Sequence, residues 1–187
     1  SVFGDYRAYP WTLGLWPTYP TEARAFVQYI MKNLPQAKVG VLSPNLDSGR
    51  DFVKGVHEAF GAQTDKFIVK EVAYDDAQPT VDSEVISLQS AGANVFLAFA
   101  PPKAAAQAIR KAGALGWKPT IFVSSIAASI ESVMKPAGLE NSVGVISTAW
   151  VKDPTDPQWK NDAAMLEHFA FMKRYYAEGN PGEPYNV

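Results

Sequence analysis

Residues 81–125, VDSEVISLQSAGANVFLAFAPPKAAAQAIRKAGALGWKPTIFVSS, run twice through one unit: an amphipathic helix, a short apolar strand and a turn of small residues. The rhythm carries on into a third unit that ends near residue 147. Helix and strand alternating over such short turns is the pattern of right-handed β-α-β units. The expected fold class is therefore α/β, a three-layer domain with a parallel sheet covered by helices on both faces. In such a sheet ligands bind at the carboxyl ends of the strands, so the fold narrows where function can sit.

Working outward, NVFLAFA (94–100) is continuously apolar and reads as a central strand, and TIFVSS (120–125) and SVGVISTAW (142–150) as the strands that follow. The helix between the first two runs from Lys103 to about Ala114; its alanines let it lie close to the sheet, and Gly116 ends it. Asp82 begins the preceding helix, where its carboxylate can cap the free N–H groups of the first turn. A shorter helix is expected over about 128–135. Towards the amino end, KVGVLS (38–43) is a strand followed by the turn cluster PNLDSG, and a helix over 49–60 buries Phe52, Val53, Val56 and Phe60. KFIVKEVAY (66–74) alternates, as an edge strand with one wetter face would. Ala23, Phe26, Val27, Ile30, Met31 and Leu34 follow the helical period, with Thr21 as N-cap and Pro35 as stop. YPWTLGLW (9–16) is aromatic and aliphatic enough for a further strand, ended by Pro17 and Pro20. KDPTDPQW (152–159) is a loop leading to a helix over 159–177, and GNPGEPYNV reads as another turn.

Length and composition bound the possibilities. At 187 residues, 47% hydrophobic and 19% charged, the chain suits one globular domain with a real core. A net charge of −2, with basic residues scattered, gives no nucleic-acid surface. No apolar run is long enough to span a membrane, and no basic-then-apolar leader lies among these residues. The absence of cysteine excludes disulfides, thiolate metal sites and a cysteine nucleophile.

Catalytic signatures are lacking. There is no GxxxxGK[ST] loop, no GxGxxG after a strand and no GxSxG elbow. His57 and His168 both fall within helices as solvated side chains, away from strand ends. Asp75 and Asp76 follow the edge strand as loop formers, and Asp153 and Asp156, each before a proline, form turns. What remains is a rim of aromatic, small and hydroxyl side chains at strand ends: Trp16 and Tyr19, Asn45 and Ser48, Phe99, Ala100 and Pro101, and Ser124, Ser125 and Ile126. Stacking faces, hydroxyls and helix N-termini without a nucleophile and base describe a recognition surface for a small molecule with an apolar body and a polar or anionic end. No enzyme activity, cofactor or metal is expected.

YPWTLGLWPTYPTEARAFVQYI, KVGVLSPNLDSGRDFVKGVHEAFG, DSEVISLQSAGANVFLAF and VKDPTDPQWKNDAAM, in this order, carry a resemblance that covers essentially the whole chain. The chain resembles the type I periplasmic solute-binding proteins of branched-chain amino-acid ABC transporters, the leucine/isoleucine/valine-binding family. The resemblance implies a lobe with flavodoxin-like strand order, one of two lobes that trap a solute between them. Residues 1–187 then correspond to a single α/β domain, most of the second lobe, with the first lobe outside these residues. It further implies export to the periplasm, an ABC permease as membrane partner and no nucleic acid. An apolar face awaiting the first lobe would let this piece self-associate.

Family contacts carry over to the neighbourhoods of Ser48, Pro101 and Ile126. Relatives place an acid near position 126 to pair with a ligand ammonium, and this chain has Ile126; Ser48 stands where relatives often carry an aromatic. A buried ammonium without a countercharge is costly. The resemblance therefore points away from a standard α-amino acid and towards aromatic acids or other short carboxylates. Two other readings compete: a ligand-sensing regulatory or receptor domain of the same fold, and a flavodoxin-like cofactor-binding enzyme, for which LWPTYP makes a poor phosphate cradle.

Overall fold

Val39–Pro44 (β1), Ile68–Tyr74 (β2), Val95–Ala98 (β3), Thr120–Val123 (β4) and Ile146–Ser147 (β5) form one sheet in the order β2-β1-β3-β4-β5. Every pairing is parallel. The computed structural model describes residues 5–175 apart from 13, 15 and 155. They fall into two units, Ser1–Thr148 and Ala149–Val187. The sheet belongs wholly to the first.

Alternation along the strands divides the core into two layers. Val39, Val41, Val95, Leu97, Phe99 and Phe122 pack against the helices Tyr19–Asn33 (α1) and Asp47–Phe60 (α2) through Ala23, Phe26, Val27, Ile30, Phe52, Val56 and Phe60. Leu42, Phe96, Ala98, Ile121 and Val123 pack on the other face against Asp82–Ser90 (α4) and Pro102–Ala114 (α5). Between α2 and β2 lies the one-turn helix Thr64–Phe67 (α3). Because β1, β3 and β4 are buried on both faces, their sequences are apolar apart from Ser43 and Thr120. Lone alanines on α5, at 104, 105, 108 and 112, bring that helix close to the sheet.

The strand expected over 66–74 lies at the edge of the sheet, with exposed Lys70 and Glu71, but it begins at Ile68, Lys66 and Phe67 belong to α3, and Val69 is exposed. A bulge opposite Val39 turns both Ile68 and Val69 against one partner residue, after which the register is regular from Gly40 and Lys70 onward.

Several features differ from expectation. The described residues of 9–16 form no strand: Thr12 N–H bonds Tyr9 O at 3.0 Å in a local turn, just after one in which Asp5 accepts the N–H groups of Arg7, Ala8 and Tyr9. α1 begins at Tyr19 with Thr18 as N-cap, ahead of the expected Thr21, because Pro20 sits in the first turn, where no N–H is needed. Asp82 does not cap its helix; its carboxylate holds Lys111 of α5 at 3.0 Å. The helix expected over 128–135 starts at Ile130, where the Ser129 hydroxyl accepts Ser132 N–H, and runs as a wide turn through Met134 into a short helix Lys135–Ala137 (α6); a separate 3₁₀ turn at Ser125–Ala127 precedes it. The last strand shrinks to β5, preceded by Leu139–Ser142 (α7) and by Gly144 at φ 83°.

In the second unit the helix Ala163–Tyr175 (α8) starts later than expected. Asp162 Oδ1 accepts Met165 N–H at 3.1 Å, and its other oxygen holds Lys152 Nζ at 2.5 Å. Lys152 also stands 5.0 Å over the Trp159 ring. The turn expected at GNPGEPYNV lies outside the described residues. Among the described residues no helix is long and apolar enough to cross a membrane.

Candidate functional site at the carboxyl edge of the sheet

Parallel pairing puts the ends of β1, β3, β4 and β5 along one edge, and the side chains there come from five segments of chain. At the end of β1, Asn45 N–H continues the ladder to Tyr74 O at 2.8 Å, and its side chain meets Arg50, which also holds Asp47 at 2.6 Å. Ser48 is half-buried in the first turn of α2. That turn rests on β1 so closely that a Cβ on Gly49 would stand 2.0 Å from Pro44 O.

After β3, Phe99 and Ala100 are buried beneath the edge, and Pro101 is exposed above them. Phe99 stacks on Phe52 at 4.4 Å and meets Tyr19 edge-to-face at 4.8 Å. Tyr19 therefore reaches the rim as the first residue of α1, not from a strand end. Trp16 is exposed three residues earlier. After β4, Ser124 is buried, and its hydroxyl accepts Ile126 N–H at 3.4 Å, which shapes the 3₁₀ turn that leaves Ile126 38% exposed.

One residue of this edge was not singled out in the sequence. Glu22 is only 6% exposed, and its Oε1 accepts Ser125 N–H at 2.6 Å and the Thr148 hydroxyl at 2.5 Å. It lies one turn after Tyr19, so the first turn of α1 crosses the ends of β3, β4 and β5. The signal was present: Glu22, Phe26 and Ile30 share one helical stripe at spacings of four, and a carboxylate on a buried stripe needs partners.

At the far side of the edge, Tyr74 closes β2 with its ring buried and its hydroxyl without a hydrogen-bond partner among the described residues. Burial, with the charge of Asp76 adding to it, pushes the phenol well above its ordinary pKa. His57 lies apart from the rim and pairs with Glu71 across α2 and β2. Asp75 Oδ1 accepts Ala77 N–H at 2.8 Å, the loop role expected of it. A groove of about 300 Å³ lies at the opposite, amino end of β4, lined by Ile109, Trp117, Lys118 and Asn141. The rim itself offers aromatic faces, hydroxyls, a backbone turn and one buried carboxylate, which are means of holding a molecule.

A model of the periplasmic binding protein family matches residues 2–186. The chain belongs to that family. No curated protein sequence matches it. The fold is that of the type I periplasmic binding proteins, and solved structures agree. An extracellular ligand-binding receptor from Verminephrobacter eiseniae superposes with a TM-score of 0.76 at 20% identity, over 92% of this chain and 48% of that one. A leucine-binding protein from Thermotoga maritima gives 0.68 at 18% identity, over 83% of this chain and 43% of that one. A fatty acid ABC transporter substrate-binding protein from Thermomonospora curvata gives 0.66 at 21% identity, over 86% of this chain and 41% of that one. The chain thus spans less than half the length of these members of the fold.

Proposed function

We propose that this periplasmic binding protein chain forms most of the second lobe of a two-lobed solute-binding protein of an ABC importer. Its rim would be one wall of the cleft, and the solute a small organic molecule, an amino acid or an aromatic or short carboxylate. The observation that carries this reading is the convergence of Tyr19, Glu22, Ser48, Pro101 and Ile126 on the carboxyl edge of one parallel sheet, the place where open α/β sheets take ligands. The length ratio supports the lobe assignment. Leucine and fatty acids, named for two of the neighbours, both join an apolar body to a carboxylate.

In this reading a second lobe closes over the solute about a hinge, and the closed form is what a membrane permease recognises in the periplasm. Trp16, Asn45, Phe99, Ala100, Ser124 and Ser125 complete the proposed wall, the buried ones by supporting those above.

The test is a thermal-shift screen of the full-length gene product against branched and aromatic amino acids, aromatic acids and short carboxylates. A solute at a hundred times its dissociation constant adds about 2.7 kcal/mol of stability and raises the midpoint. A shift with one chemical class supports the reading. Silence across all of them would overturn it and favour a sensing domain for some other ligand.

A further inference from the structure

Glu22 is a buried carboxylate for which the described residues supply no cation. Its two hydrogen bonds come from neutral donors, and both fall on Oε1. Among the described residues no lysine, arginine or histidine pairs with it. Oε2 accepts no hydrogen bond there either, yet it is not among the unpartnered atoms sealed from solvent. The residue as a whole is 6% exposed. One oxygen is therefore fixed by Ser125 and Thr148, and the other keeps its accepting capacity and a narrow opening.

A carboxylate so placed is costly unless a positive or strongly donating group meets it. Water can serve while the rim is open. Closing the cleft proposed above would remove that water and leave the charge to be answered by whatever lies between the lobes. Tyr19, one turn earlier on the same helix, adds an aromatic ring, a surface that also favours cations.

Resting on the solute-binding reading, we propose that Oε2 of Glu22 accepts a hydrogen bond from an ammonium group of the solute, so that the rim selects amine-bearing solutes over their deaminated counterparts. Ile126 then need not be an acid: the carboxylate reaches the same turn from α1, through the N–H of the neighbouring Ser125. This reverses the preference for simple carboxylates drawn from position 126 alone.

The experiment is calorimetric titration of the full-length gene product with matched pairs: L-leucine against 4-methylpentanoate, and L-phenylalanine against 3-phenylpropanoate. The wild type should bind the amine of a pair more tightly. Glu22→Gln keeps shape and an accepting oxygen but loses the charge. It should weaken the amine by about ten- to hundredfold, the worth of one charge-assisted hydrogen bond, and leave the deaminated partner nearly unchanged. Thr148→Val, which removes a neutral donor and keeps the carboxylate, should preserve the discrimination and shows whether a disturbed fold alone could abolish it. Wild-type preference for the deaminated acids, or equal loss of both partners in Glu22→Gln, overturns this assignment while the binding reading stands. Failure of both members of both pairs, with other solutes bound, also overturns it; failure of every solute overturns the binding reading itself.

Discussion

The hydroxyl of Thr148 donates to the carboxylate of Glu22 at 2.5 Å, joining residues 126 positions apart in the chain. The same oxygen takes Ser125 N–H at 2.6 Å, so one atom ties α1 to the ends of β4 and β5. Glu22→Ala would strand a part-buried N–H and a part-buried hydroxyl and leave a void, at a cost of about 2–3 kcal/mol. Thr148→Val removes one donor and should cost about 1 kcal/mol. Urea denaturation measures both; an alanine variant as stable as the wild type would show that the tie contributes nothing.

Gly55 sets the distance between α1 and α2. A Cβ there would lie 2.5 Å from Pro20 Cα and 3.1 Å from Ala23 Cβ, both on α1. Alanine is the better helix former by roughly 1 kcal/mol, so propensity alone would make Gly55→Ala stabilising. The contact is with backbone and cannot yield without moving the helix. The expected outcome is a net loss of about 1–3 kcal/mol in thermal unfolding, with weaker solute binding as Tyr19 and Glu22 shift.

Tyr74→Phe should stabilise the protein by about 1 kcal/mol at neutral pH, because it removes a buried hydroxyl that has no partner among the described residues. Its pH dependence has a definite sign. The folded phenol titrates well above the ordinary 10.0, so the unfolded chain loses its proton first. Stability is full below about pH 10 and declines above it. Unfolding midpoints compared between pH 8 and 11 should fall less in the phenylalanine variant than in the wild type; parallel falls would count against this.

Asp162 gives the opposite sign in the second unit. Hydrogen bonds from Lys152 and from Met165 N–H hold its carboxyl below the ordinary 3.8. The stabilisation is present above that value and is lost as pH falls through the lower folded one. A carboxyl-carbon NMR titration should place Asp162 below 3.8, and Asp162→Asn should remove the acid-side fraying of α8. A titration at or above 3.8 would mean that the Lys152 contact does not persist in solution.

Periodicity made the fold legible where one face or both faces of an element had to be buried. NVFLAFA had to lie inside the sheet because it offers no polar side, and KFIVKEVAY had to lie at the edge because it does. The same reasoning overreached at 9–16, where apolar content suggested a strand; the described residues there form none, and Tyr9 to Thr12 close a local turn. At 128–135 it foresaw helical turns but not their form, a wide turn begun at Ser129 that passes into a short helix containing Pro136. The rim was legible as a set of strand ends, since parallel topology alone places them on one edge. Glu22 escaped because its meaning depends on Ser125 and Thr148, which no local window contains.

The sequence by itself determined the alternation of helix and strand, the parallel sheet that follows from it and the edge at which a solute would be met. These rest on short-range periodicity and on turns too short for any other connection. Only the tertiary structure decided which side chains face that edge. It brought Tyr19 onto Phe99, buried Glu22 beneath the ends of β4 and β5 and left Ile126 half open. Those outcomes depend on packing between residues far apart in the chain, where a close approach at Gly55 or one shared carboxylate oxygen fixes what periodicity leaves free.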